Sequence, residues 1–137
     1  EWNTCLIFED DFTFKSSDID FNNNVLRSVF QNFPEWDCCM LAAGQSEVLF
    51  WNTHIETVKK VLSAQTSSGY CVTRKFAPTL LKNFYESRDS MLQIGRIVEN
   101  CLDQHWKKIQ QHHNWYLIEP TLGYQYFNWS DIEHLMA

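Results

Sequence analysis

The chain has no long apolar run. Its cleanest hydrophobic stretches, such as Cys5-Leu6-Ile7-Phe8, are strand-sized, well short of the roughly 20 residues that a membrane-spanning helix needs. It also lacks a basic stripe: 11 Lys and Arg stand against 17 Asp and Glu, for a formal charge of -6. A duplex binder displaces counterions with clustered cations. The isolated pairs Lys59-Lys60 and Lys107-Lys108 read as solvated helix faces, so nucleic acid is not an expected partner. The cysteines (Cys5, Cys38, Cys39, Cys71 and Cys101) form no Cys-x-x-Cys pair and show no disulfide-module spacing. Three sit in apolar strand-like runs, where a free thiol behaves as a small hydrophobe. Gly-rich phosphate loops, Gly-x-Ser-x-Gly elbows and His-Glu-x-x-His helices are missing, as are repeats and low-complexity tracts. Cys101, His105 and His112 are an incomplete zinc set, since no second Cys follows at a usable spacing.

What is present suits one globular domain. At 137 residues with 45% hydrophobic and 15% aromatic content, the chain can bury a core. Thr4 to Phe8 reads as a strand apolar on both faces, the pattern of a central strand in a covered sheet. Ser16-Ser17-Asp18 offers N-cap chemistry for a helix to about Gln31, stopped by Pro34. Trp36 to Leu41 and Val48 to Trp51 read as strands, and Ile55 to Leu62 as strand or helix. A loop at Gln65 to Gly69 leads into a short buried strand, Tyr70 to Val72. Thr73 caps a helix over roughly Arg74 to Glu86, with Pro78 tolerated in its first turns. Two further helical stretches carry Met91, Leu92 and Ile94, and then Cys101 to Gln110. Trp115 to Ile118 is a last strand, and Pro120 onward reads as irregular. Strands alternating with helices give an α/β layered fold, a mixed sheet flanked by helices.

The strongest chemical signal is Leu6-Ile7-Phe8-Glu9-Asp10-Asp11-Phe12. Three adjacent carboxylates repel one another, and a divalent cation relieves that repulsion. Hard ions such as Mn²⁺ or Mg²⁺ take oxygen ligands and often use only one or two carboxylates, completing their shell with substrate phosphate. In an extended chain Glu9 and Asp11 share a face while Asp10 points elsewhere. A solvated acidic turn is the equal alternative on the triplet alone.

The run resembles the Glu-Asp-Asp motif of family 25 glycosyltransferases, which include lipopolysaccharide and collagen galactosyltransferases. Two further segments follow in that family's order. Ser68-Gly69-Tyr70-Cys71-Val72-Thr73-Arg74-Lys75, with Ala77, Leu80 and Leu81, is similar to its tyrosine-strand block. Asp103-Gln104-His105-Trp106, then Trp115 to Pro120, Gln125 and Ser130-Asp131-Ile132-Glu133, is similar to its C-terminal block. The resemblance implies a GT-A fold, Rossmann-like, of which residues 1–137 would be the C-terminal two-thirds, with a nucleoside-gripping βαβ unit ahead of the triplet. It implies inverting transfer of a hexose, often galactose, from a nucleotide-diphosphate donor to a glycan, lipid or protein acceptor. Mn²⁺ or Mg²⁺ on Glu9 and Asp11 would neutralise the leaving diphosphate, and Asp103 would act as general base at the start of a helix. Asp10, Gly69, Tyr70, Gln125 and Asp131 would line the donor site. The compartment is left open between a bacterial cytoplasmic membrane face and a eukaryotic secretory pathway. Two other classes stay in view: a non-catalytic carbohydrate-binding relative, and a phosphoryl hydrolase using the same carboxylates.

Overall fold

The computed structural model describes residues 1–44 and 48–126. Eight strands and four helices occur there: β1 (Thr4–Phe8), β2 (Phe12–Phe14), α1 (Ile19–Asn32), β3 (Cys38–Met40), β4 (Leu49–Asn52), β5 (Val58–Ser63), β6 (Gly69–Thr73), α2 (Ala77–Gln93), α3 (Leu102–His105), α4 (Lys107–Gln110), β7 (Trp115–Ile118) and β8 (Gly123–Gln125). Six strands form a mixed sheet in the order β1-β6-β3-β7-β5-β4, and β2 pairs with β8 in a separate ribbon. The α/β class is as the alternating pattern predicts.

Direction matters more than order. β1 and β3 each run antiparallel to β6, and β3 is parallel to β7. Three strands therefore point the same way and end at one edge of the sheet. They deliver Glu9, Leu41 and Glu119 to that edge, which is where open α/β sheets place their ligands.

Both faces are covered. One carries Met40, Val72, Leu117, Trp106 and Trp115 under Phe76 and Leu80 of the α2 segment. Trp106 and Trp115 are fully buried and meet edge-to-face at 5.2 Å, a favoured aromatic geometry. The other face buries Cys39, Leu41, Cys71 and Ile118 under Leu26 and Val29 of α1. Cys5, Cys38, Cys39 and Cys71 are free thiols, and the last three are buried in these layers.

Several local expectations need correction. Among the described residues β1 is paired on one side only, with β6, and Leu6 and Phe8 remain 47% and 43% exposed, so it lies at the edge of this sheet rather than in its centre. Lys59 and Lys60 lie in β5, not on a helix. Asp18 caps α1 as expected, its Oδ1 accepting from the Phe21 N–H at 3.0 Å. Thr73 forms a turn with Phe76 instead of capping directly, and α2 starts at Ala77. It then runs through Met91 and Leu92 to Gln93. Gly95 follows with φ +125°, a conformation that costs glycine little and ends the helix. Of Ile55 to Leu62, the part from Val58 onward is strand, with Val58 and Val61 buried, and residues 55–57 form a turn before it. The segment after Pro120 is not wholly irregular, because it holds β8.

Candidate functional site

The triplet occupies a turn. Past Phe8 the Phe12 N–H donates to the Glu9 carbonyl at 3.1 Å, which reverses the chain from β1 into β2. The alternation that would align Glu9 with Asp11 in an extended chain does not apply here, because a four-residue turn has replaced the pleat. The two carboxylates are instead held by separate partners. Ser67 donates its hydroxyl to Glu9 Oε1 at 2.6 Å, and Gln125 donates Nε2 to Asp11 Oδ2 at 2.8 Å.

Packing behind the turn depends on two glycines. The ring of Phe12 lies so close to Gly69 and Gly123 that a Cβ would meet its carbons at 2.4 Å and 2.3 Å. Phe8 and Phe14 flank that ring with centroids at 4.8 and 4.9 Å. Gly69 thus makes room for the aromatic anchor of the acidic turn. Tyr70 is only 4% exposed and packs edge-on against Trp106. Burial first, then Cys38 and Glu9, pushes its phenol well above the ordinary range.

The loop between β5 and β6 ties the distant segments together. The Glu9 N–H donates to the Ser68 carbonyl at 2.8 Å, and Ser67 reaches the Glu9 carboxylate. One residue earlier, the Thr66 N–H donates to Asp103 Oδ2 at 3.1 Å. Gln104 Nε2 donates to Gln65 Oε1 at 2.6 Å. Thr66 itself has φ +88°, uncommon for a β-branched residue and costing roughly 1–3 kcal/mol. Such strain persists only where surrounding contacts over-determine it. Gln110 supplies part of that support at the loop's base: Oε1 accepts from the Ala64 N–H and Nε2 donates to the Ala64 carbonyl.

Two polar atoms on the site's own segments are buried without a hydrogen-bond partner among the described residues, Asp11 Oδ1 and Ser68 Oγ. A buried oxygen left unpaired costs about 1–3 kcal/mol. One oxygen of Asp11 is therefore oriented by Gln125 while the other is available to a hard cation. This donor chemistry fits Mn²⁺ or Mg²⁺ with substrate oxygens completing the shell. Among the described residues no group of three or more His, Cys, Asp or Glu side chains converges, so the turn does not gather its three carboxylates at one point.

The structure thus ties Glu9 and Asp103 to one loop that leads into Gly69, joins Asp11 to Gln125 beside the β2–β8 ribbon, and sets the Tyr70 ring into the core. Asp131 and Ser130 lie outside the described residues. Ser67 and Thr66 carry contacts that the sequence does not announce, because no pattern in Gln65 to Gly69 distinguishes them from an ordinary loop. No family model matches the sequence, and no curated protein matches it.

Proposed function

We propose that the chain is the metal-binding and acceptor-side part of a GT-A glycosyltransferase, transferring a hexose from a nucleotide-diphosphate sugar with inversion. The observation that carries this reading is the β5–β6 loop: it binds the acidic turn through Ser67 and the Asp103 carboxylate through the Thr66 N–H. A leaving-group side and a base side are thereby held to one short segment, as an in-line displacement requires.

Each residue then has a defined task. Glu9 and Asp11 would hold Mn²⁺ or Mg²⁺, with Gln125 orienting Asp11, and the bound ion would supply Lewis-acid chemistry toward the leaving diphosphate. Asp103 accepts one backbone hydrogen bond on Oδ2, which orients the carboxylate while Oδ1 takes the proton of the attacking hydroxyl. Gly69 and Tyr70 serve the site from behind, the first by accommodating Phe12 and the second by anchoring the strand after the loop. Asp10, in the same turn, serves the donor side. In this reading the open edge of β1 is where the nucleoside-binding strands pair.

Water-proton relaxation with Mn²⁺ in the presence of UDP tests the metal site. Enhancement that is lost in Asp11→Asn and in Glu9→Gln supports the reading. Equal enhancement in the doubly substituted chain overturns it.

A further inference from the structure

A cavity of about 370 Å³ opens at the same edge of the sheet, within the range of small-molecule sites, roughly 300–1,000 Å³. Val48, Phe50 and Leu117 line it with apolar surface, and Lys15, Glu119 and Thr121 supply polar groups, with Tyr124 alongside. Tyr124 is 44% exposed and Phe50 40%, so aromatic surface faces the opening.

Three of the described lining residues are fixed by backbone hydrogen bonds. The Lys15 N–H donates to the Leu122 carbonyl at 2.9 Å, the Glu119 N–H to Thr57 at 2.9 Å, and the Gly123 N–H to Leu41 at 3.1 Å. A preformed cavity of this kind loses little on binding. Its position links it to both halves of the site above. Gly44, on one wall, donates to the Gln65 carbonyl at 3.4 Å, and the next residue, Thr66, holds Asp103. Tyr124, on the other wall, adjoins Gln125, which holds Asp11.

The rim chemistry selects the ligand. Among the described lining residues one ammonium and one carboxylate offset each other, which sets up little net field for a diphosphate. Lys15 Nζ donates to Thr121 Oγ1 at 2.6 Å and retains two further N–H groups, while Glu119 only accepts. A neutral polyol matches that mixed donor–acceptor rim, and its C–H face matches an aromatic wall.

We infer that this cavity is the acceptor-sugar subsite: it binds a neutral pyranoside, the terminal residue of a glycan, with one face on Tyr124 and hydroxyls on Glu119 and Lys15. This rests on the transferase reading for its role in transfer, but not for sugar binding itself. Saturation-transfer NMR on the whole chain tests it, using methyl α- and β-pyranosides of galactose, glucose and mannose, with and without UDP and Mn²⁺. At least one glycoside receives saturation, and the signal falls at least fivefold in Tyr124→Ala and in Glu119→Gln. It survives in Tyr124→Phe and in Asp11→Asn, with near-UV circular dichroism confirming that each variant is folded. No transfer to any glycoside in either condition, or equal transfer in the folded rim variants, overturns the subsite. Sugar binding that persists while metal binding is absent leaves the subsite standing and removes only the transferase reading.

Discussion

Replacing Gly69 by Ala isolates the packing that holds the acidic turn. Gly69 lies in β6 without a positive φ, so its backbone does not require glycine. On entropy alone the substitution would stabilise the chain by about 0.4–1 kcal/mol. Against this stands the new methyl group, 2.4 Å from two carbons of the Phe12 ring, where carbon atoms rest at about 3.5–4.0 Å. The ring has little room to retreat, with Phe8 and Phe14 packed on it and Gly123 beneath. Overpacking of this kind costs about 1–3 kcal/mol, so it outweighs the entropy gain. A net loss of roughly 1–2 kcal/mol corresponds to a fall of about 3–10 °C in Tm for a chain of this length. In a Phe12→Ala background the obstacle is gone, and Gly69→Ala becomes neutral or stabilising. Urea denaturation of the four proteins gives the coupling directly, expected at about 1–3 kcal/mol. Equal destabilisation by Gly69→Ala in both backgrounds would refute the reasoning, because the cost would then not come from Phe12.

Gln110→Leu leaves the buried Ala64 N–H without its side-chain acceptor; a loss of about 1–3 kcal/mol in urea titration is expected, and an unchanged midpoint would contradict it. Burial pushes the Cys38 thiol well up, with Cys71 and Asp37 adding to the shift, and burial likewise raises the Tyr70 phenol. Protons bound more tightly in the folded state stabilise it fully below the unfolded values, about 8.5 for cysteine and about 10 for tyrosine, and that contribution is lost as pH rises toward the folded values. The urea midpoint should therefore fall with rising pH above about 8.5, with a shallower fall in Cys38→Ala; a flat profile to pH 10.5 would contradict the burial of these groups.

The parts of the fold legible in the sequence are those with strong local chemistry. Asp18 announces α1 because an N-cap acceptor precedes an amphipathic stretch, and β3, β6 and β7 are apolar runs of strand length. β2 and β8 were not legible. Each has three residues, and their pairing joins positions more than 100 residues apart, a tertiary match that no local period records. β1 misled because an apolar strand reads the same at an edge as in the middle of a sheet. In the candidate site, Glu9, Asp11, Asp103 and Gln125 stand out as chemical types, but Glu9 and Asp103 are joined only through the β5–β6 loop and Asp11 meets Gln125 only through the β2–β8 pairing. Thr66 at φ +88° could not be anticipated, since β-branched residues avoid that region. The same limit applies to Gly69, whose partner is a ring 57 positions earlier in the chain.

The most direct test of the central claim is nucleotide-sugar hydrolysis measured with Mn²⁺, with chelator, and in Asp11→Asn. The account predicts UDP-hexose turnover that requires Mn²⁺ and falls at least a hundredfold in the variant, the scale on which removing a transition-state charge stabiliser acts, roughly 10²–10³. A folded protein that hydrolyses none of the common UDP- or GDP-sugars, or whose turnover is indifferent to Asp11→Asn, would contradict it.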